Sequence, residues 1–109
     1  MNTVKWLFVL AMVAAACSDP GTDGKKVFAA VCSTCHGPSG KPNELMVAKL
    51  GVKDLTSPEV RKPLTVDRIE DQVRNGSKNK AMPAFATALS SAQIHAVAEY
   101  VASPGFVSN

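Results

Sequence analysis

Two cysteines and a histidine lie within five residues of one another, where Cys32, Cys35 and His36 form the pattern C-x-x-C-H. Two thiols and an imidazole at this spacing can ligate zinc, act as a redox dithiol, close a disulfide or hold a cofactor. A zinc site usually needs two separated pairs of ligands, and the chain offers no second pair. A thioredoxin-like dithiol follows a strand, whereas residues 23–31 have helical spacing. A Cys32–Cys35 disulfide stays open as a purely structural alternative.

The C-x-x-C-H pattern is most typical of the covalent attachment of a c-type haem. Because residues i, i+3 and i+4 of a helix share one face, both thiols can reach the two vinyl groups of one haem while the imidazole of His36 reaches its iron. Such an attachment would also stabilise a thin core, since the chain has 109 residues, of which 46% are hydrophobic but only 6% aromatic. The sequence therefore predicts one domain with one covalently bound haem c.

An iron bound by His36 has a second axial position, for which the chain offers Met46, Met82 and His95. Met46 lies in a short run with helical spacing, which favours ordinary packing. His95 lies beside Ile94, off the apolar face of the last predicted helix, which favours a place in solvent. Met82 lies in a loop directly before a proline and fills no helix face, and a thioether is a suitable soft ligand for haem iron. We therefore expect Met82 to be the second ligand.

The first sixteen residues have the pattern of a secretory signal, because a basic start is followed by an uncharged apolar run from residue 6 to residue 16. This run is too short to span a bilayer as a helix, which needs about 20 residues. Its end, VAAAC at positions 13–17, resembles a bacterial lipobox, although Ala14 stands where leucine is more common. We expect residues 1–16 to be removed, Cys17 to be lipidated, and residues 17–23 to form a tether on the periplasmic side of a membrane. The alternative is ordinary cleavage, which would leave a soluble periplasmic protein with a free Cys17 thiol.

The charge balance argues against binding to nucleic acid. Twelve Lys and Arg against nine Asp and Glu give a net charge of +3, with both signs scattered along the chain. The longest basic cluster is the segment 78–80, whereas nucleic-acid binding usually needs a dense basic face or a stacking motif. The balance supports only a weak preference for acidic protein partners.

Arg61 and Arg68 are candidates to meet the haem propionates, although a solvent-exposed place on a helix is expected for each.

Helical spacing recurs along the chain and no alternation typical of strands persists, so we expect an all-α fold. Asp23 can cap a first helix whose Val27, Phe28 and Val31 fall on one face. Further helices are expected at residues 44–50, at residues 65–74, and in a last helix that begins after a capping box at Ser90 and stops before Pro104.

From about Thr22 to Ser103 the chain resembles the small bacterial class I cytochromes c. The stretch GKKVFAAVCSTCHG is similar to their first helix and haem motif, KNKAMPAF to their methionine loop, and LSSAQIHAVAEYV to their last helix. The resemblance implies a small cytochrome c fold over residues 24–109, with three to five helices and loops wrapped around one haem. It also implies a carrier of single electrons between periplasmic or membrane redox proteins, with no catalytic residues and no small-molecule substrate. Two other roles stay open: a haem enzyme or small-molecule sensor with a displaceable Met82, and a haem subunit of a larger respiratory complex.

The resemblance also implies two contacts near the haem motif. In the family, a proline carbonyl that follows the motif accepts the proton of the histidine ligand, and here Pro42 is favoured over Pro38. The first and last helices of the family cross with a glycine against an aromatic ring. This implies that Gly24 or Phe28 meets Tyr100.

Overall fold

Helices and loops make up the described part of the chain. The computed structural model describes residues 19–108, and no strand occurs among them. The predicted signal segment 1–16 and Cys17 lie outside the described residues. The helical elements are α1 (Gly24–Val27), a π-helical segment (Phe28–Cys32), α2 (Ser33–His36), α3 (Glu44–Leu50), α4 (Pro58–Arg61), α5 (Val66–Asn75), α6 (Ser91–Ala102) and α7 (Gly105–Ser108). The all-α prediction is confirmed.

The first helix consists of α1, the π-helical segment and α2, which follow one another without a break and end in the C-x-x-C-H motif. Asp23 caps this helix as predicted, since its carboxylate accepts hydrogen bonds from two backbone N–H groups of the first turn. The backbone N–H of Ser33 donates to the carbonyl of Phe28, a step of five residues instead of four. Such π-helical turns often occur at functional sites, and this one ends at the first cysteine of the motif.

The two longest helices, α5 and α6, begin at the predicted cap residues. The hydroxyl of Thr65 accepts a hydrogen bond from the backbone N–H of Arg68 at 3.2 Å. Ser90 and Gln93 form a complete capping box, in which each side chain accepts from the other residue's backbone N–H at 3.1 and 3.0 Å. Because α5 ends and α6 begins at well-defined residues, the loop between them, which carries Met82, is held at both ends.

The sequence does not predict α4 and α7, each of which is a single turn. Four residues are too few to show a helical period, so no pattern of apolar residues indicates these turns. Pro58 occupies the first position of α4, where its missing N–H leaves no hydrogen bond unmade. The last predicted helix does stop before Pro104, as expected, but α7 follows it and adds Phe106 to the core.

The hydrophobic core is built around α6, which packs against the first helix and against α5. The buried apolar side chains come from α6 itself, from both of its partners, from the Met82 loop and from α7, and they are Val27, Phe28, Ile69, Val73, Leu89, Ile94, Val97, Ala98, Val101 and Phe106. No helix among residues 19–108 is long and apolar enough to cross a membrane.

The first helix and α6 cross where the sequence predicts. A Cβ atom on Gly24 would lie 2.8 Å from Cβ of Tyr100 and closer still to the backbone carbonyl of Ala96, so only glycine permits this approach. The rings of Phe28 and Tyr100 meet edge to face, with 5.8 Å between centroids. Phe106, which no sequence pattern places in the core, completes the cluster at 5.3 Å from Phe28 and 5.2 Å from Tyr100.

Candidate cofactor site

The two thiols of the motif lie half-buried, three residues apart, in the last turns of the first helix. Cys32 and Cys35 are unpaired, so the disulfide alternative is not formed in this structure. Burial, with a smaller contribution from the neighbouring Cys35, raises the pKa of the Cys32 thiol to about 11. Both thiols lie in the same turn as His36, an arrangement that fits the covalent attachment of one group.

His36, the last residue of α2, has one ring nitrogen fixed and one available for a metal. Its Nδ1 lies 3.1 Å from the carbonyl oxygen of Lys53, and since a carbonyl only accepts, Nδ1 carries the proton and Nε2 the lone pair. Burial lowers the pKa of His36, and the hydrogen bond to Lys53 partly offsets this. The neutral imidazole with a free Nε2 is the form that ligates iron.

The acceptor of the His36 proton differs from the one that the family resemblance implies. Lys53 takes this role, seventeen residues along the chain, and neither Pro42 nor Pro38 does. Immediately after the motif the chain turns tightly: the N–H of Gly40 donates to the carbonyl of Gly37 at 3.1 Å. Lys41 stays close to the motif, since a Cβ atom on Gly37 would meet its backbone carbonyl, but the carbonyl that lies against Nδ1 of His36 is that of Lys53. Any backbone carbonyl can accept this bond, so the sequence contains no signal for which one does.

The segment between these two contacts contains α3, which is unusually apolar for an exposed helix. Leu45, Val47 and Leu50 are 57%, 48% and 41% exposed. Met46, one of the three candidate ligands, is half-buried on the same helix. Asn43 caps α3 through a hydrogen bond from the N–H of Met46 at 2.8 Å. Exposed apolar side chains clustered on one helix mark a surface that a partner or an apolar group can cover.

Met82 is held in a short hydrogen-bonded loop. The N–H of Ser77 donates to the carbonyl of Met82, and the N–H of Met82 donates to the hydroxyl of Ser77, each at 3.0 Å. The carboxamide oxygen of Asn79 accepts from Ser77 and from the backbone of Ala81 at 2.7 and 3.0 Å. Lys80 is the one non-glycine residue at positive φ (+61°) among residues 19–108, so the turn is tightly constrained.

The side chain of Met82 is half-buried and packs against the hydrophobic core, as the side chain of Cys32 does. The loop is also tied to α5, because the N–H of Phe85 donates to the carbonyl of Val73 at 2.8 Å. The structure thus brings the predicted methionine and the first cysteine of the motif to one core. This arrangement fits a haem lying between the motif and the methionine loop.

His95, the third candidate ligand, is engaged elsewhere. Its Nδ1 lies 2.5 Å from Glu70 on α5 and its Nε2 lies 2.5 Å from Glu99 on α6. The side chain is 57% exposed, so the predicted place at the surface is confirmed, but no sequence pattern indicates the bridge between the two helices. The hydrogen bond to Glu70, with the charge of Glu99, raises the pKa of His95, and the same bond lowers the pKa of Glu70.

Of the two arginines considered for the propionates, Arg68 is solvent-exposed as expected, and for Arg61 that expectation is wrong. Arg61 is half-buried and donates to three backbone carbonyls, those of Leu55, Val101 and Ser103, at 3.0 to 3.1 Å. The sequence contains no sign of these bonds, because carbonyl acceptors forty residues away leave no pattern around an arginine.

Comparisons with known proteins find a matching family, similar relatives and a similar solved structure. The protein family described as cytochrome C oxidase, cbb3-type, subunit III matches residues 19–101. Cytochrome c6 of Cladophora glomerata is 42% identical over 79 residues, which cover 72% of this chain and 82% of that protein. Cytochrome c6 of Pyropia yezoensis is 40% identical over 101 residues, or 93% of this chain and 86% of that protein. The solved structure of the KustC0563 c-type cytochrome aligns with a TM-score of 0.67 at 30% identity, covering 77% of this chain and 96% of that one.

Proposed function

Because this chain belongs to the small monohaem class I c-type cytochromes, we propose that its C-x-x-C-H motif and one loop methionine hold the haem c through which it carries single electrons. When bound, the haem supplies an iron that alternates between the ferric and ferrous states. We assign the two covalent links to Cys32 and Cys35. His36 and Met82 are the proposed axial ligands.

The observation that carries this assignment is the single helical turn that presents both unpaired thiols together with His36. The proton on Nδ1 of His36 is held by the Lys53 carbonyl, which leaves Nε2 available as a ligand. Met46 and Met82 are both half-buried, but Met82 packs on the same core as Cys32. These contacts support Met82 as the sixth ligand.

A carrier needs an iron whose ligands change little between the two oxidation states, because every bond remade on electron transfer adds to the barrier. The loop around Met82 is closed by its two hydrogen bonds with Ser77 and is tied to α5 through Phe85. This bracing supports a methionine that stays on the iron. It favours an electron carrier over a sensor or enzyme that opens the site to a small molecule.

One observation favours a second role, as a haem subunit of a larger respiratory complex. The family that matches this chain is described as a subunit of an oxidase. Purification in mild detergent distinguishes the two roles. A partner recovered in constant ratio would support the complex, whereas a monomer that exchanges electrons freely with soluble acceptors would support a mobile carrier.

We also propose that the chain is exported and anchored at the periplasmic side of a membrane through a lipid on Cys17, with a soluble periplasmic protein as the alternative. Cys17 lies only two residues before Asp19, the first described residue. The side chain of Gln93 donates to the carboxylate of Asp19 at 2.8 Å and to the carbonyl of Gly21 at 3.1 Å. The described part of the tether, at Asp19 and Gly21, therefore lies against the start of α6, which supports a short connection to the membrane.

We propose redox proteins with acidic docking surfaces as partners. Lys78 and Lys80 are exposed in the loop that presents Met82, which supports a basic rim close to the proposed haem. Electron exchange with an acidic partner should slow as ionic strength rises, because salt screens charges at the surface.

The mass and the absorption spectrum of the purified protein test the proposed site. After acid-acetone extraction the wild-type chain should keep the mass of one haem, and the Cys32→Ser, Cys35→Ser double variant should lose it. The ferric wild-type protein should show the weak long-wavelength band of methionine-ligated iron. A bare polypeptide mass would contradict covalent attachment, and a high-spin spectrum would contradict ligation by Met82.

A further inference from the structure

We propose that Arg61 is a positioning residue for the haem: it holds the Lys53 carbonyl against the Nδ1 proton of His36 and so sets how strongly the imidazole donates to the iron. The inference rests on the proposed role of His36 as an iron ligand. Arg61 and Lys53 both lie well after the haem motif in the sequence.

Arg61 joins its own helix, α4, to two other parts of the backbone, at Leu55 and at the end of α6. Its Nη1 donates to the carbonyl of Leu55 at 3.0 Å, and its Nη2 donates to the carbonyls of Val101 and Ser103 at 3.0 and 3.1 Å. The guanidinium also lies over the ring of Phe106, with 5.3 Å between Cζ and the ring centroid. Among residues 19–108 no carboxylate pairs with Arg61. The contacts of the Arg61 guanidinium are therefore three backbone carbonyls and one aromatic ring.

Leu55 is hydrogen-bonded on both sides. Its carbonyl accepts from Arg61, and its N–H donates to the turn that follows the haem motif. The N–H of Leu55 donates to the carbonyl of Gly40 at 2.9 Å, and the N–H of Gly40 donates to the carbonyl of Gly37, directly after His36. Gly40 also lies against Phe106: a Cβ atom on Gly40, at φ +88°, would come within 2.5 Å of Cζ of that ring. The turn after the motif, Leu55 and Arg61 thus form one connected unit.

Lys53 lies two residues before Leu55 in a backbone that is fixed locally. The carboxylate of Asp54 accepts from both the N–H and the hydroxyl of Thr56, at 2.9 and 2.6 Å. The N–H of Ser57 donates to the carbonyl of Asp54 at 3.2 Å, which closes a turn over these residues. This turn begins at Asp54, whose N–H shares a peptide plane with the Lys53 carbonyl, so holding Leu55 in place restricts the direction of that carbonyl.

The Lys53 carbonyl in turn affects the iron. A hydrogen bond from Nδ1–H to an acceptor increases the basicity of a ligating histidine, which stabilises the ferric state and lowers the reduction potential. Arg61 can hold the unit because its planar fork donates in several fixed directions at once, whereas a lysine ammonium cannot reproduce that geometry. Loosening the unit should weaken the bond from His36 and raise the potential.

The test compares Arg61→Lys with the wild-type holoprotein, because this substitution keeps the positive charge and removes the fork. We expect a reduction potential shifted to a higher value. We also expect faster exchange of the His36 Nδ1 proton with solvent, measured by NMR on the ferrous protein. In Arg61→Gln, a second variant that also removes the charge, the His36 Nδ1 proton should likewise exchange faster than in the wild type.

Two controls separate positioning from general loss of stability. Val27→Ala removes a fully buried side chain at the crossing of the first helix with α6 and should destabilise the protein without changing the potential. Arg74→Lys alters an arginine that pairs with Glu70, and it should change neither the reduction potential nor the exchange of the His36 Nδ1 proton. If Arg61→Lys lowers the melting temperature but leaves the potential and the proton exchange at wild-type values, Arg61 is only structural and the inference is wrong. A haem-loaded protein without histidine ligation would instead refute the proposed role of His36.

Discussion

Gly76 lies so close to the methionine loop that a Cβ atom on Gly76 would stand 2.5 Å from the carbonyl oxygen of Met82 and 2.9 Å from the backbone nitrogen of Ala84. The backbone of Gly76 also has a φ of +71°, in the left-handed region. The residue that ends α5 therefore determines how near the loop approaches that helix. The position of the proposed ligand depends on a glycine six residues before it.

We predict that Gly76→Ala displaces the loop and weakens ligation by Met82. The added methyl group cannot be accommodated, because the atoms that it meets are backbone. The ferric protein should lose intensity in its long-wavelength methionine band, and its melting temperature should fall. Gly51→Ala is the matched control, since Gly51 also has positive φ (+62°) but a methyl group there would meet nothing within 4 Å. The control should cost only the backbone strain, about 1 to 2 kcal/mol, and should leave the band intact.

We predict that Met82→Ala opens the sixth coordination position, lowers the reduction potential and allows the ferrous protein to bind carbon monoxide. A thioether ligand raises the potential relative to nitrogen ligands, and a water molecule or a weak ligand would replace it. Met46→Ala is the control, because Met46 is also half-buried, and its spectrum should stay close to wild type. Rapid carbon monoxide binding by the unmutated protein would favour the sensor or enzyme role.

We predict that the bridge from His95 to Glu70 and Glu99 stabilises the protein in a narrow pH range. His95 has a raised pKa, so its contribution is full below its ordinary value of 6.5 and is lost as pH rises through the raised value. Glu70 has a lowered pKa, so its contribution is present above its ordinary value of 4.5 and is lost as pH falls through the lowered value. Both contributions are full between about pH 4.5 and 6.5.

The measurement is the melting temperature of wild type and His95→Gln across pH. The two proteins should differ most between about pH 4.5 and 6.5 and converge at alkaline pH, where neutral His95 no longer attracts the carboxylates. Lys49→Gln, an exposed change on α3, should give a difference that does not vary with pH in this way. A constant difference between wild type and His95→Gln would show that the ring contributes only through packing.

We predict that Cys17 carries the membrane anchor. In cells that process lipoproteins, the wild-type protein should partition into detergent and begin at a modified Cys17, and Cys17→Ser should be soluble or unprocessed. Ser18→Ala, the neighbouring change, should partition like wild type. If Cys17→Ser partitions like wild type, another part of the chain attaches it to the membrane.

The features that the sequence determined by itself depend on residues close together in the chain. The C-x-x-C-H spacing predicts one helical turn with both thiols and an imidazole, and Cys32, Cys35 and His36 lie in that arrangement. The cap residues Asp23 and Ser90 start helices where they are expected, because a side chain that accepts backbone N–H groups two or three residues ahead acts within one turn. The contact of Gly24 and Phe28 on the first helix with Tyr100 on α6 is predicted from the family resemblance.

Only the tertiary structure decided which distant groups surround the site. The acceptor for His36 is the Lys53 carbonyl, and the partners of Arg61 include the carbonyls of Val101 and Ser103. Every residue has a backbone carbonyl, so such acceptors carry no side-chain signature that a sequence could reveal. His95 likewise meets Glu70 because α5 and α6 pack together. Local spacing encodes helices and motifs, whereas long-range hydrogen bonds are defined only when the packed helices bring their donors and acceptors within about 3 Å of one another.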